Sequence, residues 1–364
     1  MNGSLAEREK HGGTMDLIDI KSMTPQQIER FCAGELGQRP GRGLRTAALL
    51  FKERIVSFEE MTGLNRGLRE QLRARCSISQ IRVDRTEQSD DGTAKLLYRL
   101  GDGNAIEGVL IPGPHRLTLC LSTQVGCASG CRFCLTGGSG LIRNLTASEI
   151  VNQLFAAEGH AGGRAITNLV LMGTGEPLSN YDAVRAFVET ATDGNGLGFS
   201  PKRVTISTCG LAPQIERLAD DGVSASLAVS LNATTDEVRD RIMPVNRVYP
   251  LERLLQAIRY YCESSGKTVT IEYVLFGGVN DDPADARRLV ELLDGLPCMV
   301  NLLLFNPFPG SDLLRPGEER LRVFRDMLVS AGIIAVVRKS RGRDISAACG
   351  QLRATAAAAP PKTS

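Results

Sequence analysis

The sequence predicts a mixed α/β protein: a full or partial (βα) barrel preceded by a small helical domain and a short β-hairpin sheet. Three observations carry this. From residue 117 onward, seven apolar, β-branched runs alternate with six amphipathic helical stretches. Before residue 77 the apolar spacing is helical, and between 78 and 112 it alternates around two hairpin turn signals.

In chain order, residues 1–22 read as a loose leader and 23–77 as the helical domain. Thr24-Pro25 is an N-cap followed by proline in the first turn. Ile28, Phe31 and Cys32, then Leu49 to Phe51, then Leu64, Leu68 and Leu72 form its apolar faces, with glycine breaks at Gly34, Gly37 and Gly41–Gly43. Leu36 to Arg75 carries nine Lys/Arg against four Asp/Glu, which suits either a solvated surface or a phosphate-facing one. Residues 78–116 form the antiparallel sheet, turning at Asp90-Asp91-Gly92 and Gly101-Asp102-Gly103. Residues 117–352 form the barrel. Its strands are expected at 117–122, 166–172, 202–207, 225–231, 268–275, 299–304 and 332–338. Helices are expected near 146–158, 181–192, 211–221, 250–264, 283–293 and 317–331. Chemistry in such a barrel belongs on loops after the strand C-termini. The Ala/Pro-rich 353–364 reads as a disordered tail.

The composition is that of an ordinary globular protein, 42% hydrophobic and 23% charged, and the formal net charge of +2 excludes a histone-like polycation. No apolar run reaches the roughly 18 residues of a membrane span, and the first residues lack the apolar core of a secretory signal. A cytoplasmic, membrane-free location is therefore expected, and nothing suggests a dedicated oligomer interface, so a monomer is expected.

Four of the ten cysteines fall between positions 120 and 134. Cys127, Cys131 and Cys134 form a C-x-x-x-C-x-x-C triplet just after the first barrel strand. Structural zinc sites use four ligands, usually in two separated pairs. Three thiolates on one short loop instead suit a [4Fe–4S] cluster with one iron left open. The triplet resembles that of the radical S-adenosylmethionine superfamily, including Phe133 just before the third cysteine. That resemblance implies one cluster per chain, with S-adenosylmethionine chelated at the open iron and cleaved to a 5′-deoxyadenosyl radical.

Further motifs follow in order: Gly173-Thr174-Gly175-Glu176-Pro177-Leu178, Ser207-Thr208-Cys209-Gly210, Ser230-Leu231-Asn232-Ala233, Met243-Pro244-Val245-Asn246-Arg247, Asn306-Pro307-Phe308-Pro309-Gly310 and Ala347-Ala348-Cys349-Gly350-Gln351-Leu352. Gly175 permits close backbone approach, Glu176 offers a carboxylate to an ammonium group, and Ser207, Ser230 and Asn306 end strands with polar groups. Order and spacing resemble the rRNA adenine methyltransferases of the RlmN/Cfr family over residues 25–352, nearly the whole chain. The resemblance implies a cofactor site of Gly175, Glu176, Ser207, Ser230, Leu231, Asn232 and Asn306. It implies an S-methylated Cys349, a resolving thiol at Cys120 that forms a transient disulfide with Cys349, and Glu107 as proton acceptor.

The same resemblance implies methylation of adenosine C2 in 23S rRNA and tRNA, with two S-adenosylmethionine consumed per turnover. A C8 specificity is the alternative, or an altered member acting on another RNA. A reducing partner such as flavodoxin or ferredoxin is implied as well. Asn232 stands where the family carries His, and Thr174 where it carries Met. An RNA-binding protein that has lost catalysis would not need Cys120, Cys349 and Glu107 together. Cys32, Cys76, Cys262 and Cys298 have no motif around them and read as apolar fillers.

Overall fold

The computed structural model describes residues 17–138 and 140–352. Residues 1–16 of the expected leader and all of the expected tail, 353–364, lie outside the described residues. The end of that leader is not loose. β1 (Ile18–Asp19) pairs in parallel with β2 (Cys76–Ser77), and Ile20 and Lys21 are buried. Lys21 Nζ donates to Asn152 Oδ1 at 2.5 Å, and burial pushes its pKa down to about 8.

The helical domain comprises α1 (Pro25–Gly34), α2 (Arg42–Phe51) and α3 (Arg66–Arg75). Thr24 and Gln27 cap α1 reciprocally, as the Thr-Pro start predicts. α2 has no side-chain cap of its own. Glu29 of α1 supplies it, accepting from Gly41 N at 2.6 Å and Leu44 N at 2.9 Å. A Cβ on Gly43 would lie 2.3 Å from Glu29 Cα, so this glycine sets how closely α1 and α2 cross. Arg45, Arg54, Arg66, Arg73 and Arg75 are ion-paired, while Arg39, Arg42, Lys52 and Arg69 have no carboxylate partner among the described residues.

β3 (Arg82–Gln88), β4 (Ala94–Arg99) and β5 (Ala105–Pro112) run antiparallel through the two expected turns. They are not a detached sheet. β5 pairs with β6 (Leu117–Cys120), Val109 opposite Cys120, so the expected boundary at 116/117 is a turn within one sheet. After β6 comes a hairpin of β7 (Gln124–Cys127) and β8 (Gly140–Asn144). There follow α4 (Ala147–Glu158), β9 (Asn168–Leu171), α5 (Tyr181–Thr192), β10 (Val204–Thr208), α6 (Ala212–Asp220) and β11 (Ser226–Ser230). The chain ends with α7 (Asp236–Ile242), α8 (Leu251–Ser265), β12 (Val269–Leu275), α9 (Pro283–Leu292), β13 (Cys298–Leu304), α10 (Glu318–Ser330) and β14 (Ile334–Val337).

The sheet order is β14-β13-β12-β11-β10-β9-β6-β5-β4-β3, parallel from β14 to β6. Among the described residues it does not close on itself, which makes the barrel partial. One apolar core runs from Ile28 and Leu68 through Leu119, Ile206, Val229 and Ile271 to Phe324. It joins the helical domain to the barrel, and Cys32, Cys76 and Cys262 lie within it as fillers. No helix among the described residues is long and apolar enough to cross a membrane.

Candidate active site

A cavity of about 180 Å³ opens at the C-terminal ends of the parallel strands. It gathers Cys127, Cys131 and Cys134 with Gly175, Glu176, Ser207, Ser230, Asn232, Asn306 and Cys349. Leu231, Cys120 and Glu107 do not line it.

β7 ends on Cys127, and the loop beyond it coils tightly. Cys134 N donates to Cys131 O at 3.1 Å, and Gly137 N to Cys134 O at 3.1 Å. A Cβ on Gly137 would lie 2.7 Å from Cys131 O, so the coil requires glycine there. Burial pushes the Cys131 and Cys134 thiols up, and for Cys131 the neighbouring Cys134 and Cys127 add to it. Among the described residues no three His, Cys, Asp or Glu side chains gather closely enough to clasp a single ion. Three thiols on one loop fall one short of the four ligands of a structural zinc and suit iron and sulfide with one iron left open. The loop therefore fits a cluster better than a lone zinc.

Gly175 has φ +109°, and a Cβ there would lie 2.7 Å from Gln124 Cβ. The close approach read from the sequence is thus first to β7, with the cavity on the other side. Glu176 is buried. Its Oε1 accepts from Leu178 N at 2.9 Å and its Oε2 from Cys209 N at 2.7 Å. Burial still pushes its carboxyl up, so a cationic ligand group in the cavity would be favoured as its partner.

Ser207 lies near the end of β10, Ser230 ends β11, and Asn306 follows β13, as strand-end placement predicts. Asn232 is held differently from a free ligand group. Its φ is +57°, a region asparagine tolerates. Its Oδ1 accepts from Val274 N at 2.8 Å and its Nδ2 reaches Met243 Sδ at 3.3 Å, so its amide joins the ends of β11 and β12. Leu231 points into the main core, fully buried.

Cys349 is exposed on a loop that crosses the cavity. Leu135 N donates to Gly350 O at 2.8 Å, Thr136 Oγ1 to Leu352 O at 2.7 Å, and Gln351 Nε2 to Pro307 O at 3.1 Å. The same loop is tied to the hairpin strands: Ser89 Oγ donates to Asp344 Oδ1 at 2.6 Å and Lys95 Nζ to Ile345 O at 2.8 Å. Cys120 packs with Val109, Ala347 and Leu352 directly behind it. Burial and the neighbouring Cys349 push the Cys120 thiol up to about 12. Glu107, buried on β5 two residues from Val109, lies 3.8 Å from Lys95 Nζ. The three expected catalytic residues therefore sit on or around one loop, although only Cys349 faces the cavity.

Gly350 has φ +82°, and a Cβ there would lie 2.8 Å from Phe133 O. Gly350→Ala is expected to cost about 1–3 kcal/mol of loop docking. Hydrogen exchange at the Leu135 amide should rise by roughly tenfold or more, while amides of α8 keep wild-type protection. Unchanged exchange at Leu135 would show that the loop does not depend on this glycine.

Three residues escape sequence reading. Glu272 is a carboxylate within an apolar strand, which is itself a signal. It accepts from Asn301 Nδ2 at 2.9 Å, faces Arg338 at 3.6 Å, and burial pushes its pKa up. Arg338 follows β14, lines the cavity, and its charge opposes the upward push on both Cys120 and Cys349. Arg239, on the unexpected helix α7, is wholly buried and donates to the carbonyls of Leu231, Cys209 and Ser230.

A family model of the Radical SAM superfamily matches residues 121–290. A protein of Pelobacter propionicus described as "Dual-specificity RNA methyltransferase RlmN" is 47% identical, over 92% of this chain and 95% of its own length. A "Probable dual-specificity RNA methyltransferase RlmN" of Moorella thermoacetica is 48% identical, over 92% of this chain and 97% of its own. The crystal structure of a radical SAM methyltransferase from Sphaerobacter thermophilus superposes with a TM-score of 0.85 at 44% identity, covering 93% of this chain and all of that one.

Proposed function

The chain belongs to the RlmN family of radical SAM RNA methyltransferases, and from that premise we propose that it methylates C2 of an adenosine in 23S rRNA and in tRNA through an S-methylated Cys349. The observation that supports this best is the loop 341–352. It brings Cys349 to the cavity lined by Cys127, Cys131 and Cys134 and leaves Cys120 and Glu107 immediately behind.

Cys127, Cys131 and Cys134 would hold a [4Fe–4S] cluster. When bound, the cluster supplies the electron that cleaves S-adenosylmethionine. Glu176, already fixed by two backbone N–H groups, receives the ammonium group of S-adenosylmethionine, and Ser207, Ser230 and Asn306 orient its remaining polar atoms. Cys349 Sγ takes a methyl group from a first S-adenosylmethionine, and a second is consumed in activating that methyl. Glu107 removes the proton from the adenine C2 of the protein–RNA adduct. Cys120 Sγ, as its thiolate, then attacks Cys349 Sγ; the S–CH2 bond to the base breaks, the carbon left on C2 takes a proton to become the methyl group, and the Cys120–Cys349 disulfide is reopened by a two-electron reductant. Arg39, Arg42, Lys52 and Arg69 face the RNA backbone, and the target base is extruded to the cavity. A flavodoxin- or ferredoxin-type donor supplies the electron, in the cytoplasm.

The test is nucleoside mass spectrometry. The anaerobically reconstituted protein is given methyl-labelled S-adenosylmethionine, a reductant and unmodified 23S rRNA or tRNA. Labelled 2-methyladenosine is expected. Labelled 8-methyladenosine would overturn the C2 assignment. Cofactor cleavage without labelled adenine would overturn RNA methylation for the RNAs supplied.

A further inference from the structure

We propose that Arg239 is the buried counter-charge of the three-cysteine cluster site, a wholly enclosed cation that favours the cluster's reduced state; this rests on the cluster reading above. Arg239 is 0% exposed. All its donor contacts are to neutral oxygens: Leu231 O at 3.0 Å, Asn246 Oδ1 at 3.0 Å, Cys209 O at 2.8 Å and Ser230 O at 3.2 Å. No carboxylate pairs with it among the described residues. Asp236 and Asp240 act on it only from a distance, and both accept from Asn246 Nδ2, at 2.9 and 2.7 Å.

Burying a cation without an anion is strongly unfavourable. A staple for strand-end carbonyls would not need the charge, since neutral donors also satisfy carbonyls. The charge needs another partner. Arg239 Nη2 donates to the carbonyl of Cys209, and the Cys209 side chain packs with Cys131 and lines the cavity with it. Three thiolates around an iron–sulfur core carry net negative charge, and reduction adds to it. A fixed cation in this low-dielectric interior stabilises the more negative state more strongly. Helix α7 also fixes the geometry: its last residue, Ile242, accepts from Arg132 N at 3.0 Å, the amide next to Cys131. One short helix therefore sets both where the charge lies and where the ligand loop lies.

The experiment is a redox titration of the reconstituted full chain, without RNA, followed by the spin-resonance signal of the reduced cluster. Arg239→Met should move the midpoint to more negative potential, making reduction about tenfold less favourable, ~59 mV for one electron. Arg239→Lys, which keeps the charge, should stay closer to wild type than Arg239→Met. Asp240→Asn keeps the oxygen that accepts from Asn246 and removes an anion, so its midpoint should move the opposite way. An unchanged midpoint in Arg239→Met, or equal shifts in the Met and Lys variants, would overturn the counter-charge role. Should the Arg239 variants fail to fold, Asp240→Asn decides alone, and no positive shift overturns the proposal. A wild-type chain without a cluster signal would overturn both the cluster reading and this inference. A wild-type signal with unmoved variants would overturn only the inference.

Discussion

In a Cys349→Ala variant, transfer of labelled methyl to RNA should fall by on the order of a thousandfold or more, while cluster content and thermal stability stay at the wild-type level. On the proposed pathway the sulfur is the methyl acceptor, and removing an acceptor stops the transfer rather than slowing it. Cys120 lies behind the loop and does not line the cavity, so it is not placed to substitute. The fold should tolerate the change because the loop is held by groups other than that side chain: Gly350 O, Leu352 O and the Gln351 amide. An exposed substitution of this size shifts stability by no more than about 0.5 kcal/mol. Mass spectrometry of digested RNA and a melting curve check the two halves. Label above about a tenth of the wild-type level would remove Cys349 from the methyl path.

Cys120→Ala should have the opposite signature. On the proposed pathway RNA should become bound covalently and stay bound, because the methyl carrier would still react while the thiol assigned to free the product is gone. The adduct should survive denaturant and shorten on nuclease treatment. Adding Cys349→Ala should abolish it, which separates true linkage through Cys349 from nonspecific crosslinking. Cys120 is suited to acting late. Burial and Cys349 hold its thiol up at about 12, so it is mostly protonated and unreactive at neutral pH in the resting protein. A Cys120→Ala protein that releases methylated RNA at the wild-type rate would remove this residue from the pathway.

Much of the barrel was readable because its signals are local. All seven parallel strands fall on the expected apolar runs; the inner ones must be apolar almost throughout because both faces are covered, whereas the edge strand β14 keeps the pattern with Ile334 and Val336 exposed. Helix α7 was not expected. Five of its seven residues are charged, and only Arg239 and Ile242 of it are buried. Residues 18–22 were misread for a related reason: what holds them, Cys76 and Asn152, lies far along the chain and leaves no local pattern. The site divides similarly. The Cys127–Cys134 spacing and the strand-end polar residues carry their chemistry in the local sequence. Glu107 and Cys120 do not; residue patterns alone make them a strand carboxylate and a buried thiol. The amide of Asn232 shows a third case: the residue lines the cavity, but its hydrogen bonds to Val274 and Met243 depend on a backbone twist that no spacing rule encodes.

The bond from Thr136 Oγ1 to Leu352 O joins positions 216 residues apart. This fixes an order of assembly during synthesis. The ligand loop emerges from the ribosome long before the thiol at 349 exists, and that thiol has no seat until the ligand loop is in place. On the proposed pathway, every chain then passes through a stage in which it can receive iron and sulfide but has nothing with which to carry a methyl group. A chain cut short anywhere before its last dozen described residues would remain at that stage.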